Sequence, residues 1–268
     1  MSRALGRIAE LRAPSAVLER AIDLFVRAYD IDLSEAEIPV GGFRSFDAFF
    51  TRRLRDGARP IDPDTGTLVS PADGRIEDLG DIDPAGTLLV KGKRYEVGDL
   101  LGEPESVERY RGGKFFIVYL SPRDYHRVHA PVAGKVDRAR YVGGSLWPVN
   151  RIGLTYVPNL FARNERVAVV QRHPDLGDVV TVMVGATSVG RISLAFDHEV
   201  WTNRGQAPGV RRYGDDGPPL DKGEELGTFH LGSTAIVFVP PSRAMRFAVS
   251  AGAMVRVGEA VLRSVEAA

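Results

Sequence analysis

Over the first 60 residues, apolar positions recur with a helical period. Leu18, Ile22, Phe25, Val26 and Tyr29 fall at i, i+4, i+7, i+8 and i+11, on one face of a helix that Pro14-Ser15 can start. A second short helix carries Phe46, Phe49, Phe50 and Leu54, with Ser45 as its N-cap. From Pro60 onward the pattern changes to short β-rich runs separated by Gly, Pro and Asp. These are Thr67–Val69, Thr87–Val90, Lys114–Leu120, Lys135–Val142, Arg166–Gln171, Asp178–Val184, Thr234–Val239 and Phe247–Ser250. The pattern predicts a mainly β (α+β) protein, with a helical N-terminal layer at residues 1–60 and a β core at residues 61–268.

Two stretches within the β region resemble each other: Pro71-Ala72-Asp73-Gly74-Arg75-Ile76 and Pro131-Val132-Ala133-Gly134-Lys135-Val136. Each is a Pro, a small turn with Gly, then a strand, as in barrel-sandwich folds of the biotinyl or lipoyl type. Lys222-Gly223-Glu224-Glu225-Leu226 and Val257-Gly258-Glu259-Ala260-Val261 repeat a related turn, so weak internal repetition is expected in a barrel-sandwich-like antiparallel core.

Composition narrows the function classes. Apolar residues are 44% and charged residues 26% of the 268, as in an ordinary globular protein with a sizeable core. Lys+Arg and Asp+Glu are both 35, and this zero net charge argues against a general nucleic-acid binder. There is no Cys, which excludes disulfides, thiolate zinc sites, iron–sulfur clusters and cysteine nucleophiles. The longest apolar runs, such as Phe115–Leu120, are far shorter than the roughly 20 residues of a membrane span, and the N-terminus lacks the apolar stretch of a secretory signal. A cytoplasmic protein, or one on a membrane face that touches the cytoplasm, is expected. Between Gly42 and Pro60, Arg44, Arg52, Arg53, Arg55 and Arg59 outnumber Asp47 and Asp56, beside bulky aromatics. That segment reads either as a helix with a solvated basic edge or as a surface that lies on anionic lipid.

The candidate chemistry starts from His126 and His129, three residues apart after an apolar strand and a Ser-Pro turn. A zinc site there would need a third ligand, and the H-E-x-x-H pattern is absent. Asp73, before Gly74, and Ser233, before the apolar run to Val239, are turn residues when read alone. No G-x-S-x-G elbow, G-x-G-x-x-G or P-loop occurs.

Longer motifs change this picture. The chain contains Phe46-Asp47-Ala48-Phe49-Phe50-Thr51-Arg52, Pro71-Ala72-Asp73-Gly74, Tyr119-Leu120-Ser121-Pro122-Arg123-Asp124-Tyr125-His126-Arg127-Val128-His129, Val157-Pro158-Asn159-Leu160-Phe161-Ala162-Arg163-Asn164-Glu165-Arg166 and Leu231-Gly232-Ser233-Thr234, in that order. On these the chain resembles phosphatidylserine decarboxylase proenzymes along nearly its whole length. The resemblance implies self-cleavage between Gly232 and Ser233, giving chains 1–232 and 233–268. It assigns Ser233 as nucleophile, His129 as the base that activates it and Asp73 as the group that orients His129. It further implies that Ser233 becomes a pyruvoyl group, the Schiff-base site for the substrate amine, with no pyridoxal phosphate and no metal. His126 is then the proton donor that completes decarboxylation of phosphatidylserine to phosphatidylethanolamine. The family resemblance also implies peripheral association with the cytoplasmic side of the cell membrane and a possible homodimer. Asn164, Arg166 and the Gly185–Gly190 turn either line the site or support it. The rival classes are a serine or metal-dependent hydrolase built on the same His pair, and a lipoyl- or biotinyl-like carrier. The carrier would need an exposed Lys at a hairpin tip, and none stands in that setting.

Overall fold

The computed structural model describes residue 9 and residues 15–187, 191–200, 202–203, 206–230, 233–241 and 245–265. The expected helices are present. Helix α1 spans Ser15–Tyr29, and the five-residue α2 spans Phe46–Phe50, where the Ser45 hydroxyl accepts the Ala48 N–H at 3.1 Å. Leu54 does not extend α2 as its periodicity predicts. The Thr51 hydroxyl and N–H both turn back to the Asp47 carbonyl, and the chain then pairs in extended form with residues 35–37. Leu18, Ile22, Ile31, Phe49 and Phe50 make an apolar cluster of their own, with Phe25 and Phe46 edge-to-face at 5.0 Å.

The rest is mainly antiparallel β. The strands are β1 (Thr67–Val69), β2 (Gly74–Asp81), β3 (Thr87–Val90), β4 (Lys93–Glu96), β5 (Lys114–Leu120), β6 (Arg127–His129), β7 (Gly134–Val142), β8 (Arg166–His173) and β9 (Gly177–Gly185). They continue with β10 (Arg191–Leu194), β11 (Gly209–Arg212), β12 (Pro219–Leu220), β13 (Glu225–His230), β14 (Ser233–Val239), β15 (Met245–Phe247), β16 (Met254–Val255) and β17 (Ala260–Ser264). One nine-stranded sheet runs in the order β11-β7-β8-β9-β14-β5-β2-β16, with β12 also on β7. Smaller sheets are β1-β17-β15, β10-β13-β6 and β3-β4. The expected strand at Phe247–Ser250 lies earlier, at Met245–Phe247, because Ala253 bonds back to Ser250 in a turn that sends β16 against β2.

The centre of the large sheet is buried on both faces. Along β5, Phe116, Val118 and Leu120 enter one apolar cluster while Phe115 and Ile117 enter the other. Along β14, Val237 and Val239 alternate with Ile236 and Phe238 in the same way. This explains why these strands read as continuous apolar runs rather than the one-sided alternation of a half-solvated antiparallel sheet.

The internal repetition has a structural counterpart. The Pro71 and Pro131 turns each lead into a strand, β2 or β7, that bulges after Ile76 or Val136. Ser70 exchanges backbone hydrogen bonds with Gly258 and Glu259, and Ala130 does so with Gly223 and Glu224. Gly223 and Gly258 share φ near +85°, at 85° and 87°, and a Cβ on either would strike Ile61. The two repeats also meet, since His129 N–H donates to Pro71 O at 2.7 Å and Val69 N–H to Pro131 O at 3.0 Å.

Candidate active site

The meeting of the repeats brings Asp73 and His129 into one neighbourhood. Asp73 sits in the turn before β2, where Gly74 is required because a Cβ would come within 2.3 Å of Tyr119 O. The Asp73 carboxylate is buried and accepts Arg59 Nε at 2.9 Å and Val257 N–H at 2.8 Å. Arg59 is shared with Glu35 at 2.8 Å, and these carboxylates push its pKa up despite burial.

His129 ends β6. Its Nδ1–H donates to Gly223 O at 2.8 Å, which leaves Nε2 with the lone pair, facing the Tyr125 hydroxyl at 3.2 Å. Burial pushes the His129 pKa down, against the opposing charges of Glu225 and Asp73. The ring is therefore neutral near pH 7 with a basic nitrogen exposed to one exchangeable partner, the state that a general base needs.

His126 is fully buried under Phe50, whose ring centre lies 4.0 Å from its own. Its Nδ1–H donates to Asp124 O at 2.8 Å, while Nε2 has no hydrogen-bond partner among the described residues. Burial pushes its pKa down to about 3.

Ser233 is the first residue of β14, paired with Leu120 of β5 on one side and Gly185 of β9 on the other. It is 1% exposed, and its Oγ has no hydrogen-bond partner among the described residues. Leu231 and Gly232, and with them the Gly232–Ser233 bond, lie outside the described residues, as do residues 188–190 of the Gly185–Gly190 turn. The direct contacts expected among Asp73, His129 and Ser233 are not made. Gly223 O takes the place expected for Asp73 on the imidazole, the Tyr125 hydroxyl fills the place expected for Ser233, and Asp73 reaches His129 through its charge alone.

Asn164 and Arg166 serve the backbone. Asn164 Nδ2 donates to Gly185 O and Trp147 O, both at 2.8 Å, so it braces the strand opposite Ser233. Arg166 donates to the carbonyls of Leu100, Ala162 and Asn164. Sequence reasoning gave Arg59, Tyr125 and Gly223 no role in the site: Gly223 meets His129 across 94 residues, and Tyr125, only four residues from His129, carries no local signal of the contact.

The family model described as phosphatidylserine decarboxylase matches residues 46–263. That span holds every site residue described above except Glu35. The chain belongs to the phosphatidylserine decarboxylase family. Among similar decarboxylases, the phosphatidylserine decarboxylase proenzyme of Anaeromyxobacter sp. (strain K) is 42% identical over 263 residues, covering 97% of this chain and 92% of that protein. The proenzyme of Myxococcus xanthus is 41% identical over 243 residues, covering 91% and 86% respectively. That of Brevibacillus brevis is 42% identical over 240 residues, covering 89% and 84%. No helix among the described residues of this decarboxylase is long and apolar enough to cross a membrane.

Proposed function

We propose that this chain converts phosphatidylserine to phosphatidylethanolamine with a pyruvoyl group made from its own Ser233, by cutting the Gly232–Ser233 bond. The observation that carries this reading is the Ser233 hydroxyl, buried at the head of a central strand without a partner among the described residues. Leaving such a group unsatisfied costs about 1–3 kcal/mol, a cost that alanine would avoid at a purely structural position.

Ser233 Oγ adds to the Gly232 carbonyl carbon as its proton passes to His129 Nε2; His129 returns that proton to the Ser233 nitrogen as the peptide C–N bond breaks and the ester forms. The Tyr125 hydroxyl must yield that lone pair first. Elimination then releases Gly232 as a carboxylate and leaves a dehydroalanine at position 233. Water replaces its nitrogen, which departs as ammonia, and the pyruvoyl remains. That group supplies the electron sink that pyridoxal phosphate supplies in other amino-acid decarboxylases. Asp73 and Glu225 favour the positive charge that His129 acquires. His126 is the candidate for returning a proton to the substrate carbon. Its ring is neutral, so it delivers a proton only after Nε2 has received one.

Residues 1–60 are the membrane-associating layer in this reading and 61–268 the catalytic core. Exposed Val17, Leu24, Ile38 and Val40, with exposed Arg44, Arg53 and Arg55, support peripheral binding at the cytoplasmic face of an anionic membrane. Arg52 and Arg59 leave the basic surface expected from sequence, because one is buried and the other is committed to Asp73 and Glu35.

Intact mass spectrometry of purified protein tests the cut, and CO2 release from carboxyl-labelled phosphatidylserine tests the reaction. Two chains, 1–232 and a pyruvoyl-blocked 233–268, are expected together with turnover. A single uncut chain that still releases CO2 would overturn the pyruvoyl reading.

A further inference from the structure

A cleft of about 400 Å3 opens between the helical layer and the β core, with Arg52, Arg59, Asp73, Arg123 and Tyr125 among its lining residues. Most of its charges are committed. Arg59 is held by Asp73 and Glu35, and Arg256 by Glu35. Asp124 accepts the N–H and hydroxyl of Ser121 at 2.7 Å, Asp32 accepts Ser34 N–H, and Glu259 accepts Arg256 N–H. Arg52 is different. It is 4% exposed, and its one hydrogen bond is from Nη2 to Arg123 O at 3.1 Å. Nε and Nη1 have no hydrogen-bond partner among the described residues, although the guanidinium lies 5.6 Å from the Phe49 ring centre. A guanidinium stays charged in proteins, and a buried cation with two idle donors is costly unless an anion completes it. Arg123 is exposed beside it and makes no ion pair among the described residues.

The site lies close to the proposed chemistry. Arg52 follows α2, whose Phe50 covers His126, and Arg127 Nε holds the intervening Thr51 carbonyl at 3.0 Å. The headgroup of phosphatidylserine offers two anions, a carboxylate and a phosphodiester. The carboxylate leaves as CO2, so a fixed ion pair on it would stabilise the ground state more than the transition state. The phosphodiester keeps its charge from substrate to product, and its oxygens match the planar fork of a guanidinium. Resting on the decarboxylase reading above, we propose that Arg52, with Arg123 at the rim, binds the phosphodiester of the phospholipid headgroup. Its contribution is uniform binding, equal for substrate, transition state and product.

The test uses the full-length Ser233→Ala chain, which needs no turnover, and 31P NMR titrations with glycerophosphoserine and glycerophosphoethanolamine. Both ligands are expected to bind with similar affinity, and glycerophosphoethanolamine, which has no carboxylate, is expected to compete fully with glycerophosphoserine. Free serine is not expected to compete. Arg52→Gln should weaken both about tenfold or more, Arg52→Lys less, and Arg123→Gln, at an exposed position, should weaken both without loss of fold. In the processed enzyme Arg52→Lys should raise KM for short-chain phosphatidylserine with kcat nearly unchanged. Competition by serine, no binding of glycerophosphoethanolamine, or unchanged affinity in both folded Arg52→Lys and Arg123→Gln would overturn the assignment. Binding that behaves as expected in a protein that never releases CO2 would instead strike the decarboxylase reading and leave the phosphodiester site standing.

Discussion

The imidazole of His230 donates from Nδ1 to the Asp47 carboxylate at 2.9 Å while its Nε2 accepts Ser193 Oγ at 3.0 Å. Asp47 lies on α2 and His230 ends β13, three residues before Ser233, so this bond ties the helical layer to the strand that leads into the proposed cut. Arg191 closes the group, its Nη2 2.9 Å from the same His230 nitrogen and 3.6 Å from Asp47. A buried hydrogen bond to a charged group contributes about 1.5–3 kcal/mol. Asp47→Ala in the uncut Ser233→Ala background is therefore expected to lower stability by about 2 kcal/mol in urea unfolding, and Asp47→Asn, which can still accept, by less. An unchanged midpoint for Asp47→Ala would show that the link adds nothing to stability.

The maturation residues should separate by phenotype. Ser233→Ala is expected to leave one full-length inactive chain, and His129→Ala to accumulate precursor, because each removes a partner of the first proton transfer. His126→Ala should still cut but decarboxylate poorly, by about 10²–10⁴-fold, the usual cost of losing a general acid. Gel analysis and CO2 release on the same preparation decide the matter. A cut His126→Ala protein with normal turnover would remove His126 from the mechanism.

His126 also makes a prediction about pH. Its folded pKa, about 3, lies below the ordinary value of 6.5, so below pH 6.5 the unfolded chain binds the proton that the folded chain refuses. Its contribution to stability is complete above pH 6.5 and is lost as pH falls toward 3, at up to about 1.4 kcal/mol per pH unit. Other buried histidines and paired carboxylates act in the same direction. The informative measurement is therefore the difference between the parent and His126→Gln, which should lose part of its acid sensitivity between pH 6 and 4. Identical slopes of unfolding free energy against pH would contradict the burial argument.

Membrane binding should follow the exposed cations, not the buried one. Arg53→Glu with Arg55→Glu is expected to reduce co-sedimentation with anionic vesicles at low salt, since each surface cation contributes about 1 kcal/mol. Leu24→Ser, on the exposed side of α1, should reduce it as well. Unchanged sedimentation of both variants would make this layer an ordinary solvated surface.

The helices α1 and α2 and the central strands β5, β9 and β14 were legible in sequence because their apolar spacing is local. Strand β2 was legible only at its start, after the Pro71 turn; its full length was not, because Arg75, Glu77, Asp78 and Asp81 give it a polar reading although Gly74, Ile76 and Glu77 are buried. Three-residue β6 is too short to show a period. In the site, Asp73, His126, His129 and Ser233 stand out through motifs. The partners of the His129 ring did not: Gly223 is 94 residues away, and its carbonyl carries no side-chain signature. Arg52 looked like a surface cation because charge spacing cannot reveal that a turn after α2 folds the side chain inward.

The position of Ser233 at the head of β14 has a consequence for molecularity. All seven residues of β14 are buried between β5 and β9, while β15 and β17 continue the sheet of β1, and β16 edges β2. A chain broken before Ser233 thus keeps its smaller piece laced through two sheets, and the native particle holds together without the covalent link. Unfolding, however, then liberates two polypeptides. Refolding becomes a second-order encounter, so the thermal midpoint of the processed protein should depend on its concentration, whereas that of Ser233→Ala should not.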